Sequence, residues 1–483
     1  MMDGLECCEV LMSQIFHNNP YFRIDAEFYN RNAVRIENII HSLPHFYIER
    51  DMVVSGPFGS TLKSESYLSS GDVPFIRIEN IRGGFYINLQ NIVYINQSDN
   101  ERIKNSELHT DDIVLSKVGN TIGFFARVDE RLALCNISEN NIGIKTSQYP
   151  ALQRKFILAY LNSNYAQALV LRRTSGNAQP KLNVGDVCMI PIPCFSERLY
   201  SMISQLIDKS EEVIVLSEKK YKEAETVLAE LLNLQIQKQS SPVVSEKAIS
   251  ISYNVTGRLD AEYYQPKYDR LFSTLKNYNC KPLGGENGLV SIKKSIEPGS
   301  DYYQNDGVPF IRVSDVSKFQ IDEPEIHLPL DIVDNIEELY PRKDTILFSK
   351  DGSVGIAYKV EDTMEVITSG ALLHLTIKNP DEILPDYLTM VLNSPIVQLQ
   401  AERDTNGAII QHWKPSEIEK VVIPVLDMDK QIEISDKVKE SFALRKKSKQ
   451  LLEDAKRAVE IAIEQDEESA IEWLKDRKKE AGV

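Results

Sequence analysis

Two short segments of the sequence combine a lysine with glycines and could bind a phosphate oxygen. SKVGNTIG spans residues 116–123, and SKDGSVG spans residues 349–355. In each, a strand-like run ends in Ser-Lys, and the glycines that follow can adopt positive φ, which exposes backbone N–H groups beside the ammonium group. Neither segment has the G-x4-G-K-[ST] spacing of a nucleoside triphosphate site. A β-hairpin turn with no ligand is the alternative interpretation.

Two later segments carry side chains suited to base edges and phosphates. TSGNAQPK spans residues 174–181, and TNGAIIQHWK spans residues 405–414. Their Gln residues could contact base edges and their Lys residues phosphates, and arginines just before each segment add charge. Solvated loop charges would give the same pattern. When the two lysines that end the segments are aligned, His412 and Trp413 have no counterparts in the first copy. Trp413 could contact a thymine methyl group or simply pack.

The sequence has no recognisable catalytic centre. The six cysteines are scattered without C-x2-C pairs, the seven histidines show no metal-ligand spacing, and no Ser-His-Asp grouping, nuclease core or helicase motif occurs. NNPYF at residues 18–22 differs from the N-P-P-Y/F loop of adenine methyltransferases because Asn19 stands where that motif needs a proline. We therefore expect a binding protein with no catalytic residues, no metal site and no cofactor of its own.

Length and charge add further expectations. The net charge of −16 argues against a protein that coats nucleic acid nonspecifically, but it leaves room for a locally basic groove. No apolar run reaches the length of a membrane span, and the N-terminus is acidic rather than signal-like, so we expect a cytoplasmic protein with no membrane partner. A chain of 483 residues predicts two or three domains.

The chain repeats itself in order. FRIDAEFY (22–29) returns as GRLDAEYY (257–264), and GDVPFIRIENI (71–81) returns as DGVPFIRVSDV (306–316). The lysine-glycine segments and the loops after them follow in the same order, and the offsets of all these pairs lie between 231 and 235 residues. Collinear pairs over this length indicate a duplicated domain.

Two arginines of the repeat suggest scaffolding rather than ligand binding. Arg77 and Arg312 lie inside strand-like runs. We expect them to form ion pairs within their own domains, for example with the repeated Asp25 and Asp260.

The hydrophobic pattern predicts an α+β domain, built twice. Each copy opens with a short amphipathic helix, at residues 31–43 and 265–277, followed by β-branched runs and further helices. At residues 196–234 and 429–464, apolar residues recur at three- and four-residue steps without Gly or Pro. Helices of this length, about 50–60 Å, need a partner helix, so we expect them to pair as an antiparallel coiled coil with approximate twofold symmetry.

The expected domain boundaries follow from this pattern. They are a first domain at 1–194, a helix at 195–236, a linker at 237–247, a second domain at 248–428 and a second helical segment at 429–483.

This organisation resembles the specificity (S) subunit of type I restriction–modification systems. The resemblance covers residues 20–465 and rests on the repeated segments, on the long helices and on VIPVLDMDKQIEI (422–434). The last is similar to the family signature I-P-I-P-x-L-x-x-Q-x-x-I. MIPIPCFSERLYSMI (189–203) departs from the signature because it lacks the usual Gln.

The resemblance implies a subunit that reads a bipartite, asymmetric site in double-stranded DNA. Each copy would be a target recognition domain for one half of the site, read through the major groove. The long helices would set the distance between the half-sites and dock two methyltransferase subunits, which bind S-adenosylmethionine and methylate adenine. Restriction subunits with ATP-driven translocase and nuclease activity could join them. S-adenosylmethionine, ATP and Mg²⁺ are thus expected on partner subunits.

Two other classes of protein are alternatives to a DNA-recognition subunit. One is a non-catalytic scaffold of a defence complex, whose duplicated heads bind protein rather than DNA. An enzyme acting alone is the other, and it is disfavoured because the sequence has no recognisable catalytic centre.

The candidate DNA-binding residues are Ser116, Lys117, Gly119, Asn120, Arg172, Arg173, Asn177, Gln179 and Lys181 in the first copy, and Ser349, Lys350, Gly352, Ser353, Arg403, Asn406, Gln411, His412, Trp413 and Lys414 in the second.

Overall fold

The computed structural model describes most of the chain. The described residues are 10–15, 19, 21–89, 91–176, 180–234, 244, 246–405 and 411–481. The chain divides into two compact units, the first made of Met1–Val213 with Lys446–Val483 and the second of Ile214–Arg445. Each unit therefore takes residues from both of the long helices that the sequence predicts.

In its described residues, the first unit has two β-sheets and a two-stranded ribbon. In order, the neighbouring strands of the larger sheet are Val53–Ser55, Asn141–Ile144, Ile113–Ser116, Phe125–Arg127 and Phe85–Tyr86. Those of the smaller sheet are Val93–Ile95, Val73–Ile76, Leu134–Ile137 and Leu108–His109. The ribbon pairs His45–Phe46 with Ile192–Pro193. Val73–Ile76 runs parallel to Leu134–Ile137, and Phe85–Tyr86 runs parallel to Phe125–Arg127, whereas the other pairs are antiparallel.

The second unit repeats most of this strand order. Its larger sheet is Val290–Lys294, Leu372–Ile377, Ile346–Ser349 and Ala357–Lys359, and its smaller sheet is His327–Leu328, Val308–Ile311 and Ile367–Thr368. Its ribbon pairs Cys280–Pro282 with Val422–Pro424. As in the first unit, one pair of the smaller sheet, Val308–Ile311 with Ile367–Thr368, is parallel. The mixed α+β fold expected from the hydrophobic pattern is present in both units.

Helices surround these sheets. Those of the first unit are Met12–Ile15, Arg31–Ser42, Gln97–Arg102, Ala151–Leu161, Asn164–Arg173 and Val184–Val187, and those of the second are Tyr253–Thr256, Pro266–Leu275, Pro385–Leu392, Pro395–Asp404 and Pro415–Ile418. The short 3-10 helices are Arg50–Met52, Ser64–Ser66, Ile78–Asn80, Lys104–Ser106, Gly119–Thr121, Ser300–Tyr302, Val313–Asp315 and Ile336–Leu339. Among the described helices, none has the length and apolar character needed to cross a membrane.

The opening helices begin where local chemistry favours a start. The side chain of Asn30 accepts hydrogen bonds from the backbone N–H groups of Asn32 and Ala33, which caps the helix Arg31–Ser42. In the second unit the corresponding helix starts at Pro266, whose fixed φ suits a first helical turn. Both helices bury apolar residues at helical spacing, as the sequence pattern predicts.

The two longest helices are Glu197–Leu231 and Met428–Glu464, here called the first and second long helix. They pack together within each unit. In the first unit the Oγ atoms of Ser210 and Ser448 lie 2.7 Å apart, and in the second those of Ser217 and Ser441 lie 3.0 Å apart. All four serines are buried, and their small side chains allow the helix backbones to approach closely.

The C-terminal segment expected over residues 429–483 contains two helices. The second long helix ends at Glu464, and a separate helix, Glu467–Ala481, follows. The carboxylate of Glu467 accepts hydrogen bonds from the backbone N–H and the hydroxyl of Ser196 in the first unit. Because Ser196 immediately precedes the first long helix, this contact ties the beginning of that helix to the C-terminal helix.

Candidate nucleic-acid interface

The two lysine-glycine segments form turns after an inner strand of the larger sheet in their units. We call residues 116–123 the first lysine loop and residues 349–355 the second lysine loop. Gly119 and Gly352 have φ of 68° and 73°, a left-handed conformation that L side chains rarely adopt. Among the described atoms, none lies within 4 Å of a Cβ added at either position. The glycines are therefore required by backbone conformation rather than by crowding.

A following stretch of chain pairs with each lysine loop. We call residues 180–182 the first return segment and residues 411–413 the second return segment. The amide of Gly119 donates to the carbonyl of Pro180 at 3.2 Å, and that of Gly352 donates to Gln411 at 3.0 Å. The carbonyl oxygens of Lys117 and Lys350 accept in turn from residues 182 and 413, both at 2.8 Å. The two units thus build the same loop pair with the same backbone hydrogen bonds.

A glutamine holds the far end of each lysine loop. In the first unit Gln167 Nε2 donates to the carbonyl of Gly123 at 2.7 Å, and in the second Gln398 Nε2 donates to that of Gly355, also at 2.7 Å. Both glutamines lie on the helix that precedes the return segment. Each lysine loop is therefore fixed at both ends.

This hydrogen-bond register corrects one alignment made from the sequence. Opposite the lysine loops, Lys181 pairs with Val118 and His412 pairs with Asp351. His412 therefore has a counterpart, Lys181, and Trp413 has a counterpart in Leu182. The expectation that neither had one was wrong. The error arose because Lys181 was aligned with Lys414 by residue type. The backbone hydrogen bonds instead make Lys181 equivalent to His412.

In the first unit, two ammonium groups lie at this surface. Lys117 Nζ donates to Ser55 Oγ at 2.8 Å, and Lys181 is exposed. Partial burial lowers the pKa of Lys117, while the charge of Glu139 raises it and that of Lys181 lowers it further.

The second unit has different side chains on the same backbone. Lys350 forms an ion pair with Asp351, and His412 Nδ1 lies 2.9 Å from Asp351 Oδ1. Burial raises the pKa of Asp351, but the hydrogen bonds from Lys350 and His412 outweigh it and leave the pKa below its ordinary value. The carboxylate is therefore ionised near neutral pH.

A further difference follows from strand register. Ser55 pairs with Ile142 in the first unit, and Lys294 pairs with Leu373 in the second. Lys294 thus stands where Ser55 receives the lysine of the first loop, and it is exposed. Sequence analysis missed both positions, because their role follows only from the strand that pairs beside the loop.

Some candidate residues serve the loops rather than the surface. Ser116 and Ser349 are buried. The hydroxyl of Ser116 contacts Thr121 Oγ1 at 2.7 Å, and that of Ser349 donates to the carbonyl of Ser353 at 2.5 Å. These bonds close the turns and leave neither serine available to a ligand. The side chain of Ser353 is exposed.

Arg172 and Arg173 are also internal. Both side chains are almost fully buried and form ion pairs with Glu37, which for Arg173 measures 2.8 Å. Arg172 also lies 4.3 Å from the ring centre of Phe28. Burial lowers the pKa of Arg173 despite the opposing charge of Glu37. We therefore leave both arginines out of the candidate interface, because a phosphate could reach neither.

The remaining candidates divide between core, surface and undescribed chain. Trp413 is buried and packs against Phe348 with ring centres 5.9 Å apart. Arg403 stacks 4.4 Å from the ring centre of Phe272 and pairs with Asp404. Gln411 and Lys414 are exposed. Asn177, Gln179 and Asn406 lie outside the described residues, as does the side chain of Asn120.

Arg77 and Arg312 form ion pairs within their own units, as expected, but the partners named as examples, Asp25 and Asp260, were wrong. Arg77 pairs with Glu79, and Arg312 lies 3.6 Å from Asp315. The repeated aspartates instead pair with arginines two residues before them, Arg23 in the first unit and Arg258 in the second. In all four pairs the partner lies two or three residues away along the chain, so these ion pairs need no long-range contact.

Arg23, which sequence analysis did not select, connects the opening repeat to the interface. Its guanidinium donates to the carbonyl of Thr174 at 2.6 Å, at the start of the segment that leads into the first return segment.

Among the described residues, no group of three or more His, Cys, Asp or Glu residues could hold a metal ion.

Comparison with known proteins connects this geometry to one family. Residues 287–454 match the family model for the type I restriction modification DNA specificity domain, which confirms the resemblance stated from the sequence. Among curated protein sequences, none matches the chain.

Three solved structures align with most of the chain. A type I restriction–modification S subunit from M. genitalium is 14% identical, covers 90% of this chain and 96% of its own, and has a TM-score of 0.33. The HsdS subunit from Thermoanaerobacter tengcongensis is 15% identical, with 89% and 96% covered and a TM-score of 0.27. A chain from a type I R-M system, described for its complex assembly and conformational transition, is 15% identical, with 89% and 98% covered and a TM-score of 0.28.

Proposed function

We propose that this chain, which carries a type I restriction modification DNA specificity domain over residues 287–454, is the non-catalytic subunit that gives a type I restriction–modification complex its sequence specificity. Residues 1–194 and 248–428 would be two target recognition domains. Each would read one half of a bipartite DNA site. Methylation and cleavage would belong to partner subunits, which bind S-adenosylmethionine, ATP and Mg²⁺.

The observation that carries this proposal is the loop pair built twice. The lysine loop and its return segment have equivalent backbone hydrogen bonds in both units, but their exposed side chains differ. A repeated scaffold with variable side chains is suited to reading two different sequences in the same way. The resulting site would be asymmetric, because Lys181 in one unit corresponds to His412 in the other.

The long helices fit the role of spacer and docking surface. Ser441 lies 231 residues after Ser210, and Ser448 lies 231 residues after Ser217. The two serine contacts therefore use equivalent residues with their order exchanged, which supports an antiparallel coiled coil with approximate twofold symmetry. A duplicated helical surface offers two equivalent sites, one for each of two methyltransferase subunits.

The charge of the chain supports a division of labour in DNA binding. A net charge of −16 provides little neutralisation of phosphates. Partner subunits would supply much of it. The purified chain alone should accordingly bind DNA weakly, and nanomolar specific binding without partners would contradict this division.

The decisive experiment is to map N6-methyladenine in the host genome with and without this chain. We expect a bipartite motif that is methylated in the parent strain and unmethylated after deletion. Restoring the chain on a plasmid should restore the motif. An unchanged methylome would contradict the proposal and favour a scaffold whose heads bind protein.

A further inference from the structure

Lys181 and His412 occupy the same place in the two loop pairs. Each is flanked by backbone hydrogen bonds to the lysine loop, made by the residues before and after it. The residues that follow, Leu182 and Trp413, are both 1% exposed and anchor the return segments in the core. Lys181 and His412 themselves are exposed. The backbone therefore presents one variable side chain at a fixed position in each unit.

The position opposite this side chain also differs. Val118 faces Lys181, whereas Asp351 faces His412. Because an ionised carboxylate only accepts hydrogen bonds, the 2.9 Å contact between His412 Nδ1 and Asp351 Oδ1 places a proton on Nδ1. Nε2 then remains as the second hydrogen-bonding atom of a side chain that is 62% exposed.

We propose, resting on the function proposed above, that His412 is a specificity-determining residue of the second recognition domain and that Lys181 is its counterpart in the first. Asp351 is the positioning residue for His412. It orients the ring through Nδ1 and so decides whether Nε2 presents a lone pair or an N–H group to a base edge.

The two side chains would read opposite hydrogen-bond patterns. A neutral imidazole protonated on Nδ1 offers an acceptor at Nε2, which matches the amino group of adenine or cytosine in the major groove. The ammonium group of Lys181 only donates, which matches O6 and N7 of guanine. Lys181 also swivels on a flexible stem, whereas the Asp351 contact holds the imidazole. The second domain should therefore discriminate between bases at the position read by His412 more strongly than the first domain does at the position read by Lys181.

The test uses the complete complex, with its partner subunits, in cells whose methylome is read at single-base resolution. His412→Lys should change or relax the base at one position of one half-site, with the preference for the original base falling about tenfold. The other half-site should stay as in the parent. His412→Asn can still donate to Asp351 but has no Nε2 acceptor. It should reduce the base preference at the same position of the half-site. Asp351→Asn should weaken the preference there without shifting it to another position.

The matched control is Lys420→Ala, eight residues away on the same stretch of chain, also exposed and outside the candidate DNA-binding residues. It should leave both half-sites unchanged. If His412→Lys and His412→Asn keep the parent base at every position, the inference is wrong while the proposed function stands. Equal loss of methylation at both half-sites would also overturn it, because the Asp351–His412 contact would then serve stability alone. If the parent complex shows no motif that depends on this chain, the proposed function fails first, and the inference with it.

Discussion

Ser210 and Ser448 share a buried hydrogen bond of 2.7 Å between the two long helices in the first unit. Each hydroxyl also lies within reach of the other residue's backbone carbonyl, at 2.9 and 3.0 Å. Contacts from a side chain to the backbone of the opposite helix require the two helices to be very close. The pair therefore fixes both the distance and the register of the helices at this level.

Replacing Ser210 by Leu should destabilise the first unit. A buried side chain two heavy atoms larger has no space between backbones this close, so we expect the free energy of unfolding to fall by about 1–3 kcal/mol. Urea unfolding followed by circular dichroism would measure the change. Lys209→Leu, one residue away with a side chain that is 37% exposed, is the control and should stay within about 0.5 kcal/mol of the parent. Equal stability of both variants would mean that the helices separate easily at Ser210.

The ion pairs of Glu37 lead to a second prediction. Replacing Arg173 by Ala leaves Glu37 with one buried partner fewer, and loss of one member of a buried pair costs about 3–5 kcal/mol. We expect a large drop in melting temperature with little change in the salt dependence of DNA binding by the assembled complex. A variant that folds as well as the parent but binds DNA less tightly would return Arg173 to the interface.

The matched control for Arg173 is an exposed arginine of the same unit. Arg198 lies 3.5 Å from Glu468, and both side chains are more than half exposed. Arg198→Ala should cost less than about 1 kcal/mol.

His374 should make the second unit sensitive to mild acid. The ring is buried and its Nε2 lies 2.8 Å from Thr368 Oγ1. Burial, with a smaller contribution from Lys293, lowers the pKa of His374 from 6.5 to about 4. The unfolded chain therefore takes up this proton first. Stability that is fully present above pH 6.5 is lost as the pH falls toward 4, by about 2 kcal/mol at pH 5.

A variant that cannot titrate isolates this effect. His374→Gln retains a polar group for Thr368 but does not titrate. Its loss of stability between pH 7 and pH 5 should therefore be smaller than that of the parent by about 2 kcal/mol. The chain has two tryptophans, and Trp473→Phe leaves Trp413 as the fluorescent reporter of the second unit during urea unfolding. Parallel pH profiles for the two proteins would show that His374 is not the titrating group.

Much of the fold could be predicted from the sequence where local chemistry decides it. The helix predicted over residues 31–43 is observed at Arg31–Ser42, because an Asn cap and apolar residues at helical spacing are both visible in the sequence. The long helices were recognisable for the same reason. The separate helix Glu467–Ala481 was not, since no Gly or Pro marks the break before it, and its contact joins Glu467 to the distant Ser196.

The candidate site was harder to predict because its members are set by pairing between distant strands. Lysine and glycine located both lysine loops correctly. Ser55 and Lys294 gave no signal, because their proximity to the loops depends on the register of a neighbouring strand. Arg172 looked like a DNA ligand by residue type, but its partner Glu37 lies on a helix far away in the sequence. Residue type indicated charge, and only the tertiary structure indicated whether that charge is available.

Lys117 should contribute a phosphate contact to the assembled complex. Its ammonium group donates to Ser55 Oγ at 2.8 Å and has further N–H donors for a phosphate oxygen, a contact that does not depend on the base. Replacing Lys117 by Ala should weaken binding to cognate and non-cognate DNA alike. The slope of log K against log salt concentration should fall in magnitude by about 0.9, the value for one phosphate contact.

Fluorescence anisotropy with labelled duplexes at several salt concentrations would give this slope. Lys117→Arg should preserve it, because the positive charge is kept. Lys222→Ala, at a lysine on the first long helix whose side chain is 76% exposed, controls for the general loss of one positive charge and should leave the slope unchanged. A slope that is the same for Lys117→Ala and the parent would exclude a phosphate contact at Lys117. A change confined to one base of the site would instead make Lys117 a base-reading residue, and the phosphate contact would have to come from elsewhere in the first lysine loop.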